Sequence, residues 1–351
     1  MSRRAMMVKV AAGGGGGGPG GFYRTVTIDH TKVGTTDQTD FPVTIAGTYT
    51  YLKTVANSGK VQNGSGFDVG FYSDVALTTK LKWEVVQWVA TSGVVEYHVK
   101  VPTVSHSSDT VFYMNYGNTG ISTDQSDKTN TWNAGFQLVD HMGDGTTLST
   151  DDSTSNARNL NASAGTPTAT AGKFGGGVNL ASSTYYNALY NAESAPQWLE
   201  GAISFWVNKN ANAATRGLFQ WGNSDSTGTP FVLFQDDNGT LKFYVNGGYR
   251  ESSQALSTGT WYLVALTASN SGSAWKFYLN GSILSTFSGS VVPGLAAAVW
   301  MNSGFATSAD AKYDEWRVSN VLRSGDWLLA EYNNQSMLDS GFYTIGAETG
   351  V

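Results

Sequence analysis

The run Tyr313-Asp314-Glu315-Trp316-Arg317-Val318-Ser319-Asn320-Val321-Leu322-Arg323-Ser324-Gly325-Asp326-Trp327 constrains the fold more than any other part of the chain, because it writes a strand, a turn and a capped helix in succession. Aromatic and β-branched content predicts a strand over 313–318. Ser324 is placed to cap a helix that starts near Asp326, whose charge suits a helix N-terminus. The continuation Trp327-Leu328-Leu329-Ala330-Glu331-Tyr332 reads as short and amphipathic.

Elsewhere the strand pattern dominates. Tyr23–Ile28, Lys82–Trp88 and Val94–Val101 alternate so that each has one face fit for burial. In Lys80-Leu81-Lys82-Trp83-Glu84 the charged positions form a wet side and the apolar ones a packed side. From Phe136 onward, Phe231–Phe234, Leu241–Val245 and Trp275–Leu279 are separated by Asp237-Asn238-Gly239, Val245-Asn246-Gly247-Gly248 and Leu279-Asn280-Gly281. Asn-Gly between alternating runs is a strong hairpin signal. With 13% aromatic residues, 14% charged residues and 42 glycines in 351, the profile is that of turn-rich antiparallel sheets. The fold class expected is all-β: two consecutive antiparallel sandwiches behind a Gly-rich N-terminal tether. The domain reading is 1–21 docking peptide and tether, 22–133 small sandwich, and 134–351 second sandwich.

The segment DEWRVSNVLRSGDWLLAEYNNQ, Asp314 to Gln335, resembles the closing part of the LamG-like jelly rolls of the concanavalin A-like lectin and glucanase superfamily. His141–Gly145, Asp152–Asn156, Gly172–Gly177, Ile203–Val207 and Phe277–Gly281 look like the same jelly roll. Phe41-Pro42-Val43, Ser65–Val69, Asp109–Tyr113 and Tyr116-Gly117-Asn118 resemble a small β domain of unknown function that commonly precedes it. The resemblance covers the chain after Gly21 and implies a concanavalin A-like jelly roll for 134–351. A fold does not fix a function.

Composition removes several classes of chemistry. A net charge of −6 with no basic cluster argues against a nucleic-acid partner. Without cysteine there is no disulfide, thiolate site or cysteine nucleophile. No run approaches the length of a membrane-spanning helix, so no membrane insertion is expected. Glucanase chemistry needs two carboxylates about 5 to 10 Å apart, and the simplest arrangement on a strand is two residues apart. No two carboxylates in this chain have that spacing, the Glu-x-Asp-x-x-Glu motif is missing, and Asp314-Glu315 is expected to point to opposite faces. A Gly-x-Ser-x-Gly elbow is also absent. His141 is read as a hydrogen-bonded histidine at a strand end, with no catalytic role. No enzyme activity is expected.

Two kinds of binding residue remain. Asp152, beside Asp151, Ser153, Ser155 and Asn156, offers oxygen ligands to a structural calcium, and Asp314 could join it; the resemblance implies such an ion near the closing strand. The alternative for Asp152 is a turn in which its carboxylate accepts backbone N–H groups. Among eleven tryptophans, Trp206, Trp261, Trp275 and Trp316 alternate within strands and are expected in the core. Trp198, Trp221 and Trp300 lie near loop sequences and are the candidates for stacking on sugar rings.

Gly13–Gly21, broken only by Pro19, has the composition of a flexible tether. Ahead of it, Arg3 and Arg4 with Met6, Met7 and Val8 form a candidate docking element for a larger assembly. Lys9 and the glycines that follow do not fit a cleaved signal peptide. Such a chain is expected on a bacteriophage virion, as a capsid decoration or tail-fibre component. Its partners would be other virion proteins and host or environmental glycans, bound through multivalent or homo-oligomeric display. The alternatives are a secreted or cell-surface carbohydrate-binding module and, less favoured, a glycoside hydrolase.

Overall fold

Alternation along Val94–Val104 builds the first sandwich, because Val95, Tyr97 and Val99 enter one core while Glu96 and His98 lie on the opposite side of the strand. The computed structural model describes residues 20–164, 166–180, 185–188, 200–212, 216–221, 231–235, 240–245, 248–269, 274–288, 299–302 and 307–351. The first six strands are β1 (Phe22–Ile28), β2 (Gln38–Thr48), β3 (Gly70–Tyr72), β4 (Lys82–Trp88), β5 (Val94–Val104) and β6 (Thr110–Tyr116). A three-stranded sheet, β2-β5-β4, faces a sheet containing β1, β6 and β3. Phe41, Phe71, Trp83, Tyr97, Phe112 and Met114 fill the space between them.

After a helical turn, α1 (Lys128–Thr131), the chain enters the second sandwich. Its strands are β7 (Phe136–Asp140), β8 (Leu160–Ala164), β9 (Thr168–Ala171), β10 (Gly176–Leu180), β11 (Tyr185–Ala188), β12 (Glu200–Lys209), β13 (Arg216–Trp221), β14 (Phe231–Gln235), β15 (Thr240–Val245) and β16 (Gly248–Ala255). They continue with β17 (Trp261–Ser269), β18 (Ala274–Leu279), β19 (Ser282–Ser288), β20 (Val299–Met301), β21 (Thr307–Ser308) and β22 (Ala311–Ser319). One sheet runs β19-β18-β17-β12-β22-β10-β9, with β7 also on β22, and the other runs β16-β15-β14-β13-β20-β11-β8, with β21 on β13. Ile203, Phe205, Val207, Phe219, Phe243, Phe277, Tyr313 and Trp316 pack between them. This is the all-β architecture expected. The Asn280-Gly281 hairpin forms with both residues at positive φ, 50° and 75°, as the two-residue turn requires. Its two counterparts at 237–239 and 246–247 lie outside the described residues.

Trp206, Trp275 and Trp316 are buried as expected, whereas Trp261, at the first position of β17, is only half-buried. Ser324 caps α2 (Gly325–Met337) by accepting from the Trp327 amide at 3.0 Å. The helix is longer than its apolar pattern suggested, and it buries polar as well as apolar residues. Leu328 and Ala330 join the first core, while Glu331, Asn334 and Gln335 are buried with polar partners.

The chain then returns to where it began. β23 (Tyr343–Ile345) and β24 (Thr349–Gly350) pair antiparallel with β1, completing the first sandwich's sheet. A single boundary at 133/134 follows chain order but does not describe the sheet membership of these last strands. No helix among the described residues is long and apolar enough to cross a membrane.

Candidate functional site

β12 is buried along nearly its whole length because both of its faces are covered. Ile203, Phe205 and Val207 enter the inner core. Ser204 and Trp206 face the other way, toward Glu331 and Gln335 of α2. On the neighbouring β22 the alternation breaks. Ser204 pairs with Arg317 and Trp206 with Asp314, so Glu315 and Trp316 together oppose Phe205. Glu315 takes a left-handed conformation, φ 53°, as the extra residue of a bulge. Tyr313 and Trp316 enter the inner core on either side of it. Asp314, Glu315 and Arg317 are left on the outer face of the sheet. The expectation that Asp314 and Glu315 point to opposite faces is thereby corrected.

The outer side of β2-β5-β4 meets this face and contributes Thr44, Glu84, Glu96 and His98. Glu84, expected on a wet side, is 3% exposed because the second sandwich covers it. A polar layer therefore lies between the sandwiches, with Glu84, Glu96, His98, His141, Asp314, Glu315, Arg317 and Glu331 all buried.

The two histidine rings stack at its centre, with centroids 4.4 Å apart and planes at 19°. Trp132, just after α1, lies 5.3 Å and 5.5 Å from them. His98 Nε2 is 3.3 Å from Glu96 Oε1 and 3.7 Å from Glu315 Oε1, while its Nδ1 meets Thr44 Oγ1 at 3.2 Å. His141 Nδ1 hydrogen-bonds Glu315 Oε1 and is 4.0 Å from Glu96 Oε1. Its Nε2 is 3.4 Å from Glu84 Oε2. Glu84 is itself held by donors, Trp132 Nε1 at 2.7 Å and Ser153 Oγ at 2.6 Å. Arg317 bonds Glu315 and, at 3.3 Å, Glu331. Glu96 Oε2 is buried without a hydrogen-bond partner.

Burial divides these groups into charged and neutral. It drives Glu96 well above the usual carboxylate range, helped by the Glu315 charge, and does the same to Asp314. For Glu315 burial acts in the same sense, but His141, His98 and Arg317 override it and hold the carboxyl well below its ordinary value. Burial would also neutralise His141; Glu315 and Glu84 instead keep its pKa well above that of a free imidazole. His98 goes the other way, pushed down to about 3 chiefly by burial. A charged His141–Glu315 pair and a neutral His98 follow.

His141 sits just past the end of β7, buried and hydrogen-bonded, which is the structural role read for it from the sequence. Asp152 is closed on itself. Its Oδ1 accepts the Val139 and Thr154 amides at 3.0 and 2.8 Å, and its Oδ2 accepts Thr154 Oγ1 and the Arg158 amide at 2.7 and 2.9 Å. Asp314 Oδ2 accepts the Lys173 amide at 2.7 Å and Oδ1 the Glu315 amide at 2.7 Å. For Asp152 the donors include the Thr154 amide two residues on, which is the turn read from the sequence as the alternative to an ion. Trp221 pairs with Val299, and Trp300 with Gln220, in the sheet that does not face the first sandwich. Trp198 lies outside the described residues, as do Arg3, Arg4, Met6, Met7 and Val8. Sequence reasoning missed Glu84, Glu96 and His98. Their only signal was a charged or imidazole residue at every second position of strands already assigned.

Residues 199–328 match the family model of the concanavalin A-like lectin/glucanases superfamily. No curated protein sequence matches the chain significantly. Similar solved structures include the binding domain of Paraclostridial Mosquitocidal Protein 1, at 14% identity, TM-score 0.45, and coverage of 57% of this chain and 52% of that one. Another is the receptor binding domain of botulinum neurotoxin D, at 16% identity, TM-score 0.44, and coverage of 57% and 53%. A third is domain 4 of AbnA, a GH43 extracellular arabinanase from Geobacillus stearothermophilus, in complex with arabinotriose, at 18% identity, TM-score 0.45, and coverage of 56% and 98%. The chain thus spans about half the length of the two toxin domains.

Proposed function

We propose that this protein is a non-catalytic adhesion module: a lectin-like sandwich, braced by a second one, that binds glycans from the surface of a virus particle. The observation that carries the reading is the match of residues 199–328 to a superfamily of lectins and glucanases. The absence of catalysis is supported by the junction, where the adjacent carboxylates Asp314 and Glu315 are 1% and 0% exposed and engaged with protein groups. One sheet of the second sandwich is covered by the first sandwich and α2. Glycan recognition is therefore assigned to the other sheet and its loops, which carry Trp221 and Trp300. The virion placement rests on the basic and apolar residues Arg3, Arg4, Met6, Met7 and Val8 ahead of the glycine tether.

Stacking plus a few oriented hydrogen bonds gives modest affinity per site, and repeated display raises it. The full chain, coupled in many copies to beads and applied to a glycan array, should bind and should release its ligand unchanged. Binding should weaken in Trp198→Ala, Trp221→Ala or Trp300→Ala. Hydrolysis, or no binding by any multivalent form, would overturn the adhesion reading. Mass spectrometry of purified particles tests the placement, because a chain without Met1–Gly21 should fold yet be missing from them.

A further inference from the structure

We infer that the junction between the sandwiches is a closed metal site, which takes one divalent transition-metal ion of the zinc class through Glu96, His98, His141 and Glu315. Each residue offers one ligand atom, and the four atoms lie within 4.8 Å of one another. Two imidazole nitrogens with two carboxylate oxygens form a donor set for zinc and its neighbours, whereas calcium prefers oxygen throughout. In a tetrahedral site with bonds of about 2.0 to 2.1 Å, ligand atoms stand roughly 3.3 Å apart. The separations of 3.3, 3.7 and 4.0 Å among His98, Glu96, Glu315 and His141 lie around that edge length. The His141–Glu315 pair is tighter, joined by a hydrogen bond that an ion would replace.

Features outside the four ligands point the same way. At its other nitrogen His98 has a hydrogen-bond partner, Thr44 Oγ1, while His141 Nε2 makes no hydrogen bond and has the Glu84 carboxylate 3.4 Å away. Such partners commonly fix the tautomer and direction of a metal-bound histidine. Glu84 is anchored in turn by Trp132 and Ser153. Glu96 Oε2 is enclosed without a hydrogen-bond partner, so among the described residues the only protein group within hydrogen-bond distance of this carboxyl is His98 Nε2, at Oε1. The ligands come in pairs from the two sandwiches, Glu96 and His98 from β5, His141 and Glu315 from the end of β7 and from β22. With four protein ligands and no open position, the ion would be structural and would clasp one sandwich to the other.

Full-length protein produced with zinc in the medium should contain about one equivalent by elemental analysis. The stripped protein should take up Co²⁺ with the strong visible absorption of a tetrahedral site. Added Zn²⁺ should raise its melting temperature by at least about 5 °C, while Ca²⁺ should not. Glu96→Gln and His98→Gln should each abolish the cobalt spectrum. If either variant fails to fold, the wild-type titrations decide the question alone. Absence of bound metal together with an unshifted melting temperature in wild type would overturn the proposal and leave a network held by protons. Metal retained in both variants but lost in His30→Ala would also overturn it, by moving the ion to the surface group Asp29, His30 and Asp109.

Discussion

The side-chain amide of Asn334 pairs with the backbone of Thr44 as another strand would: its Oδ1 accepts the Thr44 amide at 2.7 Å and its Nδ2 donates to the Thr44 carbonyl at 3.0 Å. β2 is an edge strand of its sheet, and this contact lies where its free backbone groups would otherwise be buried without partners. The helix after the second sandwich therefore closes the edge of the first. Asn334→Ala should strand a buried N–H and a buried C=O, at a cost of roughly 2 to 4 kcal/mol. Asn334→Asp should also destabilise, because it cannot donate to the carbonyl. Urea unfolding of the full chain measures both.

Gly175 occupies the left-handed region, φ 58°, and a Cβ there would lie 2.0 Å from Glu96 Oε2. Gly175→Ala should cost roughly 1 to 3 kcal/mol, from backbone strain and collision with an enclosed carboxyl. In a Glu96→Ala background the collision disappears and only the backbone cost should remain, roughly 1 kcal/mol. A double-mutant cycle reads the difference as coupling across the junction. Simple additivity would mean that Glu96 can turn away, contrary to the packing described.

What the sequence made legible was local. The strand over 313–318 and the Ser324 cap were readable because neighbouring residues decide them, through β propensity and an N-cap hydroxyl. Glu84 and Glu96 were not readable as buried groups. Alternation tells which residues share a face, yet it cannot tell that a second sandwich covers that face. Asp314 and Glu315 were misplaced for a related reason: a single left-handed residue in a bulge shifts the period by one, and Glu315 has no glycine-like signature to announce it. Tyr343 to Gly350 falls within the 134–351 assigned from the sequence to the second sandwich, because pairing across more than three hundred residues leaves no local trace.

That distant pairing predicts a dependence on the C-terminus. Val26, Thr27 and Ile28 pair with Ile345, Thr344 and Tyr343, and Phe342 and Tyr343 are buried in the first core. Ending the chain after Ser340 would remove both aromatic side chains and turn β1 into an edge strand. The expected result is a chain whose first sandwich unfolds or aggregates, seen as loss of cooperative melting and as oligomers in size-exclusion chromatography. A truncated chain with unchanged melting would show that β23 and β24 add nothing to the fold.

Asp326, in the first turn of α2, gives the most direct dependence on pH. Its Oδ2 accepts the Thr35 amide at 3.1 Å, Thr35 Oγ1 at 2.9 Å and Thr36 Oγ1 at 2.8 Å, tying the loop before β2 to the helix. Partial burial tends to raise its pKa, but the hydrogen bonds from Thr36 and Thr35 outweigh that and hold it below the ordinary aspartate value of 3.8. A depressed carboxylate contributes stability that is fully present above its unfolded value and lost as pH falls through the folded one. The helix N-terminus acts in the same direction by favouring the charged form. Asp326→Asn should therefore lower the urea midpoint near neutral pH. Its deficit against wild type should shrink below about pH 4, as wild type loses the charged contact. A deficit constant across the acid range would mean that the threonine contacts do not depend on the charge of Asp326.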